Sequence, residues 1–484
     1  MVTMGADSTR PDTSQAKAQR LARRLLGEGR PEDPGAARLG REAPLAAKLA
    51  ERTARIAILG QGYVGLPLAG RLASAGFRVL GVEPDDERCR AIRVGGPVLG
   101  TNSAALTEGL AEPQASGRYR VTSDPTELAD CDVAIVCVPT PLGPDRKPDL
   151  GAVRAAGLAL GQYLVAGSLC VLESTTYPGT TRGAFFDALE DGRRAAARPA
   201  PDDLFVAYSP EREDPGRAAA EIAAAPKLVG GLDPASEELA TALYQSAFAH
   251  VYPTGGCEIA EAAKLFENVF RAVNIALVNE AKTVLEAMGI DVWRVLDAAA
   301  TKPFGFMPFQ PGPGMGGHCI PIDPFYFAWA GEQHGVRARF VELAGEVNRE
   351  MPAYVTERLA EALAACNQDL RGARILVLGL AYKADVSDVR ESPALDLVDR
   401  LLLCGAHVEA ADPHVALATT AGGAQLASVP LTPERLSAAD AVLVVTDHAA
   451  FDYRAVADHA RLVVDTRGVM RAFAGELGER LVRA

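Results

Sequence analysis

A glycine-rich turn between a strand and a helix constrains the fold of this chain more than any other feature. The motif Gly60-Gln61-Gly62-Tyr63-Val64-Gly65 follows the apolar run at residues 55–59. Its first glycine allows a tight turn, its second lets a pyrophosphate approach the backbone, and its third lets the helix pack on the strand. A second apolar run ends at Glu83, where a carboxylate is expected to bind the ribose hydroxyls of a dinucleotide. We therefore predict that residues of the motif, including Tyr63 and Val64, contact the cofactor. The acid favours NAD over NADP, although Arg88 lies only five residues further on.

Short apolar runs alternate with helical stretches along most of the chain. We predict strands at residues 55–59, 79–83, 132–138, 169–173 and 204–208, and again at 375–378, 407–410, 441–445 and 462–465. Short buried strands separated by helices indicate parallel, doubly wound sheets. Between the two sets, residues 258–288 have apolar residues at helical spacing and no proline, which predicts one long helix. The predicted fold is α/β, with two Rossmann-like domains joined by a long central helix that we expect to form a dimer core.

We divide the chain into four segments. Residues 1–54 are a leader, 55–255 an N-terminal dinucleotide-binding domain, 256–367 a central helical dimerisation region, and 368–484 a second Rossmann-like domain. The leader contains a Pro- and Gly-rich stretch at residues 30–37, with short helices predicted at 14–27 and 43–53. Its composition favours partial disorder, and a docking or regulatory segment is the alternative.

Composition excludes several classes of function. The formal charge of −13 argues against binding along a nucleic-acid backbone, which requires a basic face. The eight cysteines form no CxxC pair and no zinc-like spacing, so we expect no metal and predict free thiols in a reducing cytoplasm. No apolar run approaches the roughly 18 residues of a membrane helix, and no signal peptide is visible at the start. We therefore expect a cytoplasmic protein with no membrane association.

Polar residues follow the predicted strands at the carboxyl edge, where ligands bind to such sheets. Thr140 follows the third predicted strand, and Glu173 and Thr175 follow the fourth. Glu173 is a candidate general base or merely caps the next segment, and both strand ends could be ordinary turns. Arg212 follows the fifth strand and could bind phosphate or sugar oxygens, although such a charge cluster is more often a solvated loop.

The predicted long helix carries Lys264, Asn268 and Arg271 at spacings that place them on one face. Lys264 and Asn268 could hold an oxyanion by charge and hydrogen bonding, and a solvent-facing polar stripe is the alternative. Downstream, Cys319 lies in the loop Gly312-Pro313-Gly314-Met315-Gly316-Gly317-His318, with Asp323 shortly after it. Glycines let backbone approach a ligand closely, so Cys319 is a candidate nucleophile rather than a small buried apolar residue.

Two cations follow the first strand of the second Rossmann-like domain. Lys383 and Arg390 lie just after Gly379, where they could bind phosphate or uronate oxygens. That turn lacks the second and third glycines of a dinucleotide loop. We therefore expect this domain to bind a nucleotide in a different way.

Taken together, these motifs resemble the nucleotide-sugar 6-dehydrogenases, the family of UDP-glucose and GDP-mannose dehydrogenases. The resemblance covers about residues 50 to 470. Three segments look most like the UDP-N-acetylhexosamine members of that family: 209–216, 390–393 and 446–453, which includes His448. Gln310 is polar where several UDP-N-acetylglucosamine members have an aromatic residue, and N-acetylmannosamine members often resemble this chain there. The resemblance implies a C-terminal domain that binds the UDP moiety and a homodimer or larger homo-oligomer.

The resemblance also implies a four-electron oxidation of the C6 alcohol to a carboxylate with two NAD. Cys319 is similar to the thiol that adds to the C6 aldehyde, and Lys264 and Asn268 look like the pair that stabilises oxygen charge. The remaining implied roles fall into three groups: Glu173, Asp323 and Thr140 position or activate water; Arg212, Arg271, Gly316 and Lys383 contact substrate; and Arg390, reaching across a subunit boundary, contacts NAD together with Thr140 and Thr175.

The sugar and the alternatives stay open at this point. UDP-N-acetylglucosamine is the first choice, UDP-N-acetylmannosamine the second and UDP-glucose the third. A two-electron dehydrogenase of the 6-phosphogluconate or hydroxyisobutyrate type would lack the Cys319 loop and the second α/β domain. A non-catalytic nucleotide-binding sensor would more typically lack Cys319, Lys264 or Asn268.

Overall fold

The computed structural model describes residues 42–96, 98, 109–143, 145, 147–198, 203–212, 224–317 and 320–484. The helix predicted at residues 14–27 lies outside the described residues. The helix predicted at 43–53 is present as α1 (Ala43–Ala50). No described helix is both long enough and apolar enough to cross a membrane.

The first sheet has eight strands in the order β3-β2-β1-β4-β5-β6-β7-β8. All neighbouring strands are parallel except β6 and β7. Its strands are β1 (Arg55–Leu59), β2 (Arg78–Val82), β3 (Tyr119–Thr122), β4 (Val133–Val136), β5 (Leu169–Leu172), β6 (Phe205–Tyr208), β7 (Lys227–Gly231) and β8 (Val251–Pro253). The associated helices are α2 (Gly65–Ser74), α3 (Asp86–Arg93), α4 (Ala111–Ala115), α5 (Gly151–Tyr163), α6 (Phe186–Ala195) and α7 (Pro234–Gln245).

The central strands of this sheet are apolar because helices cover both faces. β4, β5 and β6 are buried along their whole length, and one apolar cluster packs on each face. The strand order reverses between β1 and β4, and such a switch point is where doubly wound sheets bind ligands at the carboxyl ends. The dinucleotide motif and Thr140 both follow strands at this point.

Four helices form the central region: α8 (Cys257–Ala287), α9 (Val292–Ala300), α10 (Asp323–Gln333) and α11 (Arg339–Ala365). The predicted long helix is present and differs from the predicted bounds by one residue at each end. Its 31 residues span about 46 Å, so it runs well beyond the first sheet.

The second sheet has five parallel strands in the order β10-β9-β13-β14-β15, with a separate two-stranded antiparallel pair, β11 and β12. Its elements are β9 (Arg374–Leu378), α12 (Pro393–Leu403), β10 (His407–Ala411), β11 (Leu417–Thr419), β12 (Gln425–Ala427), α13 (Pro433–Ala438), β13 (Ala441–Val444), α14 (Tyr453–His459), β14 (Val463–Asp465), α15 (Ala474–Leu477) and β15 (Leu481–Arg483). The predicted α/β fold with two doubly wound sheets is confirmed. The second sheet has the flavodoxin-like order, with its switch point between β9 and β13.

Six strands were not predicted, and β7 shows why. It reads Lys-Leu-Val-Gly-Gly, with a charged residue at one end and two glycines at the other. The glycines are required by packing, because a Cβ on Gly230 would overlap the carbonyl of Gly256 and one on Gly231 would overlap the backbone of Glu237. Lys227 can be buried because it forms ion pairs with side chains distant in sequence, so the sequence of the strand itself does not show that this position is buried.

Candidate active site

The glycine motif has the geometry that a dinucleotide requires. Gly60 has φ +90°, and a Cβ there would lie 2.5 Å from the carbonyl oxygen of Cys137. A Cβ on Gly65 would overlap the Gly60 carbonyl, so α2 packs closely on β1 only because Gly65 is glycine. Gly62 has no neighbouring atom within 4 Å of a Cβ, which leaves its backbone open to a ligand. The free N–H groups at the start of α2 favour an anion, so the motif fits the pyrophosphate of NAD.

Glu83 lies immediately after β2 and is 4% exposed. Its carboxylate accepts hydrogen bonds from the backbone N–H of Gln61 at 3.1 Å and of Asp85 at 3.3 Å. The Arg88 guanidinium also binds it, with Nη1 at 3.2 Å from Oε2. Glu83, the predicted ribose-binding acid, and Arg88, the cation that weakened the expected preference for NAD over NADP, therefore form an ion pair. This pair lies beside the glycine motif.

The predicted strand-end segments after β4 and β5 lie side by side. Ser174 Oγ donates to the Val138 carbonyl at 2.8 Å, which joins the two segments. Thr140 is buried, and its carbonyl accepts from the Tyr326 hydroxyl at 2.9 Å, which ties it to α10. Thr175 is half-buried next to Ser174. The edge thus faces the central helices, whose α10 begins with Asp323.

Glu173 lies in a buried polar cluster rather than capping a helix. It is 1% exposed and accepts a short hydrogen bond from the Tyr244 hydroxyl. Lys227 Nζ lies 3.1 Å from Glu173 Oε2 and 3.2 Å from Glu211 Oε2. Burial raises the pKa of Glu173 to about 7, against the lowering effect of Lys227. Burial alone would lower the pKa of Lys227, but the two carboxylates outweigh it and raise that pKa.

Lys264 and Asn268 are buried on α8, at 8% and 5% exposure, so the solvent-facing alternative is wrong for these two residues. Asn268 Nδ2 donates to Asp323 Oδ2 at 2.6 Å. Burial raises the pKa of Asp323 to about 6, while the charge of Lys264 and the Asn268 amide lower it. An ammonium, an amide and a carboxyl group therefore share one site, which is a set suited to managing charge on a substrate oxygen.

Cys319 and His318 lie outside the described residues, but the loop that leads to them is held at both ends. Gly312 N–H donates to Asn279 Oδ1 of α8 at 2.9 Å, and Gly317 N–H donates to the Arg390 carbonyl at 3.0 Å. The half-buried Gly316 packs so closely on the Glu391 carbonyl and on Tyr382 that a Cβ would come within 2.7 Å of both. The loop is therefore clamped between the central helix and the second domain.

The predicted cationic contacts separate into two groups. The Arg212 guanidinium pairs with Glu267 of α8 at 2.7 Å and donates to the Pro226 carbonyl at 2.6 Å, so it lies at the Glu173 cluster with its charge satisfied. Arg271 is exposed, although its spacing of seven residues from Lys264 places it on the same face of α8. Lys383 is half-buried in the second domain.

Arg390 reaches the dinucleotide motif within one chain. Its guanidinium lies 4.4 Å from the centre of the Tyr63 ring, in the position of a cation–π contact. Desolvation opposes its charge, but the bond to Asp388 outweighs this and raises the pKa of Arg390. Arg390 therefore lies beside the dinucleotide motif of its own chain, and the expected NAD contact across a subunit boundary stays a prediction.

Three residues near the site were missed by sequence reasoning. Lys227 and Tyr244 bind Glu173, but neither lies in a motif. Arg467 follows β14, with Nε at 2.9 Å from Asp447 and a terminal nitrogen against Gly312. Arg467 had a usable signal, since it is a cation at the end of a predicted strand.

Comparison with known proteins finds family matches in three stretches of the chain. Residues 54–248 match the NAD binding domain of the UDP-glucose/GDP-mannose dehydrogenase family, 258–350 its central domain and 376–472 its UDP binding domain. The chain is 34% identical over 406 residues to a UDP-N-acetyl-D-mannosamine dehydrogenase of Methanococcus aeolicus, covering 82% of this chain and 85% of the relative. It is 34% identical over 364 residues to a UDP-N-acetyl-D-glucosamine 6-dehydrogenase of Pseudomonas aeruginosa, covering 75% and 83%.

A solved structure agrees. The UDP-D-ManNAc dehydrogenase of Pyrococcus horikoshii matches with a TM-score of 0.76 at 32% identity, covering 85% of this chain and 95% of that one. The chain belongs to the UDP-glucose/GDP-mannose dehydrogenase family. Membership of this family makes it an NAD-dependent oxidoreductase that acts on nucleotide sugars, as the motifs predicted.

The cofactor preference can be tested at Glu83. Glu83→Gln keeps the bond from Gln61 N–H but removes the charge that should bind ribose hydroxyls and repel a 2′-phosphate. We expect the KM for NAD to rise about tenfold and turnover with NADP to become measurable, because bonds to charged groups contribute about 1.5–3 kcal/mol. Glu87→Gln, at a 90% exposed side chain four residues away, is the matched control. An unchanged KM for NAD in Glu83→Gln would show that this acid does not bind the ribose.

Proposed function

We propose that this family member oxidises the C6 alcohol of a UDP-N-acetylhexosamine to a carboxylate through a covalent intermediate on Cys319. The buried Lys264–Asn268–Asp323 group beside the clamped glycine loop is the observation that carries the proposal. The overall reaction consumes one alcohol, two NAD⁺ and one water, and yields the carboxylate, two NADH and three protons. Bound NAD supplies the hydride acceptor for both oxidations.

In this proposal Lys264 and Asn268 stabilise the charge that develops on O6. In the first oxidation the C6 alcohol loses a hydride and a proton and becomes an aldehyde. The Cys319 thiolate then adds to the aldehyde carbon, forming a C–S bond, and the former carbonyl oxygen takes up a proton to give a thiohemiacetal. Loss of a second hydride, with the hydroxyl proton, gives a thioester, and water breaks the C–S bond to release the carboxylate and the thiol. In this proposal the ammonium and the amide bind the same oxygen in every step.

Water activation is assigned to Glu173 in the same proposal. Its pKa of about 7 suits a general base at neutral pH, and Lys227 and Tyr244 hold the carboxylate in place. Asp323, with a pKa raised to about 6, positions Asn268 and is the second candidate to receive a proton. Thr140 lies on the neighbouring strand end and is proposed to position the water and contact the cofactor.

The proposed ligand contacts follow from position. Arg390 and Tyr63 meet at the glycine motif, which supports Arg390 as a cofactor contact together with Thr175. Gly316 and Lys383 lie where the glycine loop meets the second domain, which supports contact with the UDP moiety. Arg212 is proposed as a substrate contact next to the Glu173 cluster, and Arg271 as one at the exposed edge of α8.

UDP-N-acetylglucosamine is the first choice of substrate and UDP-N-acetylmannosamine the second. The relatives support an N-acetylhexosamine, because both of these names occur at 34% identity. Gln310 favours the mannosamine epimer, since N-acetylmannosamine members often resemble this chain there. UDP-glucose is the third choice.

The substrate can be identified by steady-state kinetics. We expect kcat/KM for UDP-N-acetylglucosamine to exceed that for UDP-glucose by about two orders of magnitude, because a site that binds the acetamido group leaves polar groups unpaired with glucose. UDP-N-acetylmannosamine, an epimer at C2, is the matched comparison. A higher kcat/KM for UDP-glucose than for either N-acetylhexosamine would contradict the proposal.

The role of Glu173 predicts a pH dependence. Glu173 must be ionised to act as a base, so kcat should fall as the pH drops through about 7. Lys227→Met removes the cation that lowers this pKa, and the acid limb of the profile should therefore move to higher pH. Lys227→Arg should largely restore the limb, and Lys147→Met, at an exposed site, should leave it unchanged. Identical profiles for Lys227→Met and the unaltered protein would contradict the assignment.

We also propose that α8 forms the core of a homodimer. Six exposed apolar residues lie along it or just past its end: Ile259, Phe266, Phe270, Leu277, Val284 and Met288. Their spacings of seven and four residues place them within roughly 40° of one another around the helix. A stripe this long and apolar is typical of an interaction surface, and a second copy of the same helix offers a self-complementary partner.

Sedimentation tests the dimer directly. Leu277 is 59% exposed near the middle of the stripe, and Leu277→Glu should convert a dimer to monomers at micromolar concentration, because it buries a charge in an apolar interface. Leu403→Glu, at an 86% exposed leucine of α12 away from the stripe, is the matched control and should stay dimeric. A dimer that persists in Leu277→Glu would exclude this surface.

A further inference from the structure

His448 is a fully buried histidine that joins three loops at the switch point of the second sheet. Its Nδ1 accepts the backbone N–H of Asp385 at 2.9 Å, in the loop after β9. A ring nitrogen that accepts this bond carries no proton, so the proton of the neutral ring is on Nε2. Nε2 lies 3.0 Å from Asp412 Oδ2, after β10, and donates to it.

Asp412 holds the other side of the same junction. Its Oδ2 also accepts the backbone N–H of Leu380 at 2.7 Å and of Ala381 at 3.0 Å, and Oδ1 accepts those of His414 and Val415. These bonds and His448 outweigh burial and lower the pKa of Asp412 to about 2. The carboxylate is therefore ionised and fixed, and it gives His448 a rigid anchor.

A metal ion does not explain the cluster. Asp385, His414 and His448 lie close enough together to suggest three ligands. However, the single lone pair on His448 Nδ1 already accepts the Asp385 N–H, and Asp385 Oδ1 accepts the backbone N–H of Ala449 at 2.9 Å. The hydrogen bonds account for the orientation of both side chains without an ion.

The segment that His448 holds, residues 379–392, contacts both the glycine loop and the dinucleotide motif. It carries Lys383, its Tyr382 ring packs on Gly317, and its Arg390 carbonyl accepts the Gly317 N–H. Arg390 also lies over Tyr63 of the dinucleotide motif. Two non-glycine residues of the segment, Asp385 with φ +60° and Glu391 with φ +50°, have backbone conformations that persist only when neighbouring contacts enforce them.

We propose that His448 is a positioning residue for nucleotide-sugar binding: its Nδ1 lone pair fixes Asp385 and so presents Lys383 to the UDP moiety. This rests on the proposed function, in which Lys383 contacts that moiety. It gives a physical role to the 446–453 segment, which resembles the UDP-N-acetylhexosamine members. Asp385 comes two residues after Lys383, so losing this bond releases the strained turn beside the cation.

Three substitutions separate the two bonds of the ring. His448→Asn places an amide oxygen near the Nδ1 position and can still accept the Asp385 N–H. His448→Gln places an amide N–H near the Nε2 position and can still donate to Asp412, and His448→Phe can do neither. His414→Gln is the matched control, because the His414 ring lies 5.0 Å from that of His448 but makes no hydrogen bond to the Asp385 backbone among the described residues.

The affinity for UDP alone, measured by calorimetry, and the KM and kcat for UDP-N-acetylglucosamine are the readouts. We expect His448→Phe and His448→Gln to weaken UDP binding and to raise the KM for UDP-N-acetylglucosamine about tenfold or more. Their kcat should stay within about threefold of that of the unaltered protein. Asn and the His414→Gln control should stay within about threefold of the unaltered protein. This split between KM and kcat, with rescue by Asn, would not result from general destabilisation.

Several outcomes would overturn the proposal. Three results would each exclude a role for the Nδ1 bond. They are a UDP affinity of His448→Asn as low as that of His448→Phe, a UDP affinity of His448→Gln equal to that of the unaltered protein, or an unchanged UDP affinity in His448→Phe. A loss of UDP affinity in His414→Gln that matches treatment with a chelator would favour a metal instead. If His448→Phe fails to fold, the comparison of His448→Asn with His448→Gln still tests the role of the Nδ1 bond. If no UDP-sugar is oxidised, the proposed function fails, but the UDP affinities still test His448.

Discussion

The fold and the site both depend on the inverted amphipathic pattern of α8. Polar side chains are buried along one face: Glu261, Lys264, Asn268, Asn279 and Lys282. Their spacings place them within roughly 60° around the helix, opposite the exposed apolar stripe. A buried polar group is costly unless it is bonded, so this face must recruit partners from other segments. This inverted pattern, with leucine and phenylalanine exposed and lysine and asparagine buried, supports the proposed site on one side of α8 and the proposed dimer surface on the other.

Of the buried polar residues of that face, Glu261, Asn268 and Asn279 each fix a different segment. Glu261 accepts the backbone N–H groups of Gly179 and Thr181 after β5, and Asn268 holds Asp323 at the start of α10. Asn279 holds Gly312, at the beginning of the loop that leads to Cys319. One helix therefore fixes the positions of the segment after β5, the Lys264–Asn268–Asp323 group and the glycine loop. Lys282 is the exception: its Nζ has no hydrogen-bond partner among the described residues, and burial lowers its pKa to about 7.

The second domain adds a further constraint, because its segment 379–392 contacts both the glycine loop and the dinucleotide motif. One hydrogen bond, from the Gly317 N–H to the Arg390 carbonyl, and the cation–π contact of Arg390 with Tyr63 make these two connections. Asp412 and His448 fix that segment by accepting hydrogen bonds from its backbone N–H groups. One short stretch of backbone therefore contacts both regions, and two of its residues, Asp385 and Glu391, have positive φ angles.

The local sequence pattern was sufficient to predict those parts of the molecule in which the burial of each residue follows from the periodicity of its own strand or helix. The buried runs of β1, β4, β5 and β6 and the periodicity of α8 predicted those elements to within two residues at each end. The glycine motif was predictable from its spacing after a strand, although only one of its steric reasons is local: a Cβ on Gly65 would overlap Gly60, whereas a Cβ on Gly60 would meet Cys137 after the neighbouring strand. The Lys264–Asn268 pair was predictable as a face, but whether that face was buried depended on α10 and its Asp323. The partners of Glu173 were not predictable, since Lys227 and Tyr244 come from a strand and a helix whose sequences give no local signal of that contact.

The proposed four-electron oxidation through Cys319 can be tested by the number of NADH formed per molecule of limiting UDP-sugar. UDP-N-acetylglucosamine, UDP-N-acetylmannosamine, UDP-glucose and GDP-mannose would each be supplied as the limiting substrate, to the unaltered protein and to Cys319→Ala. We expect about two NADH and one uronate from a UDP-N-acetylhexosamine, and loss of uronate formation in Cys319→Ala. One NADH with accumulating aldehyde from the unaltered protein, or uronate formed at the normal rate by Cys319→Ala, would contradict it.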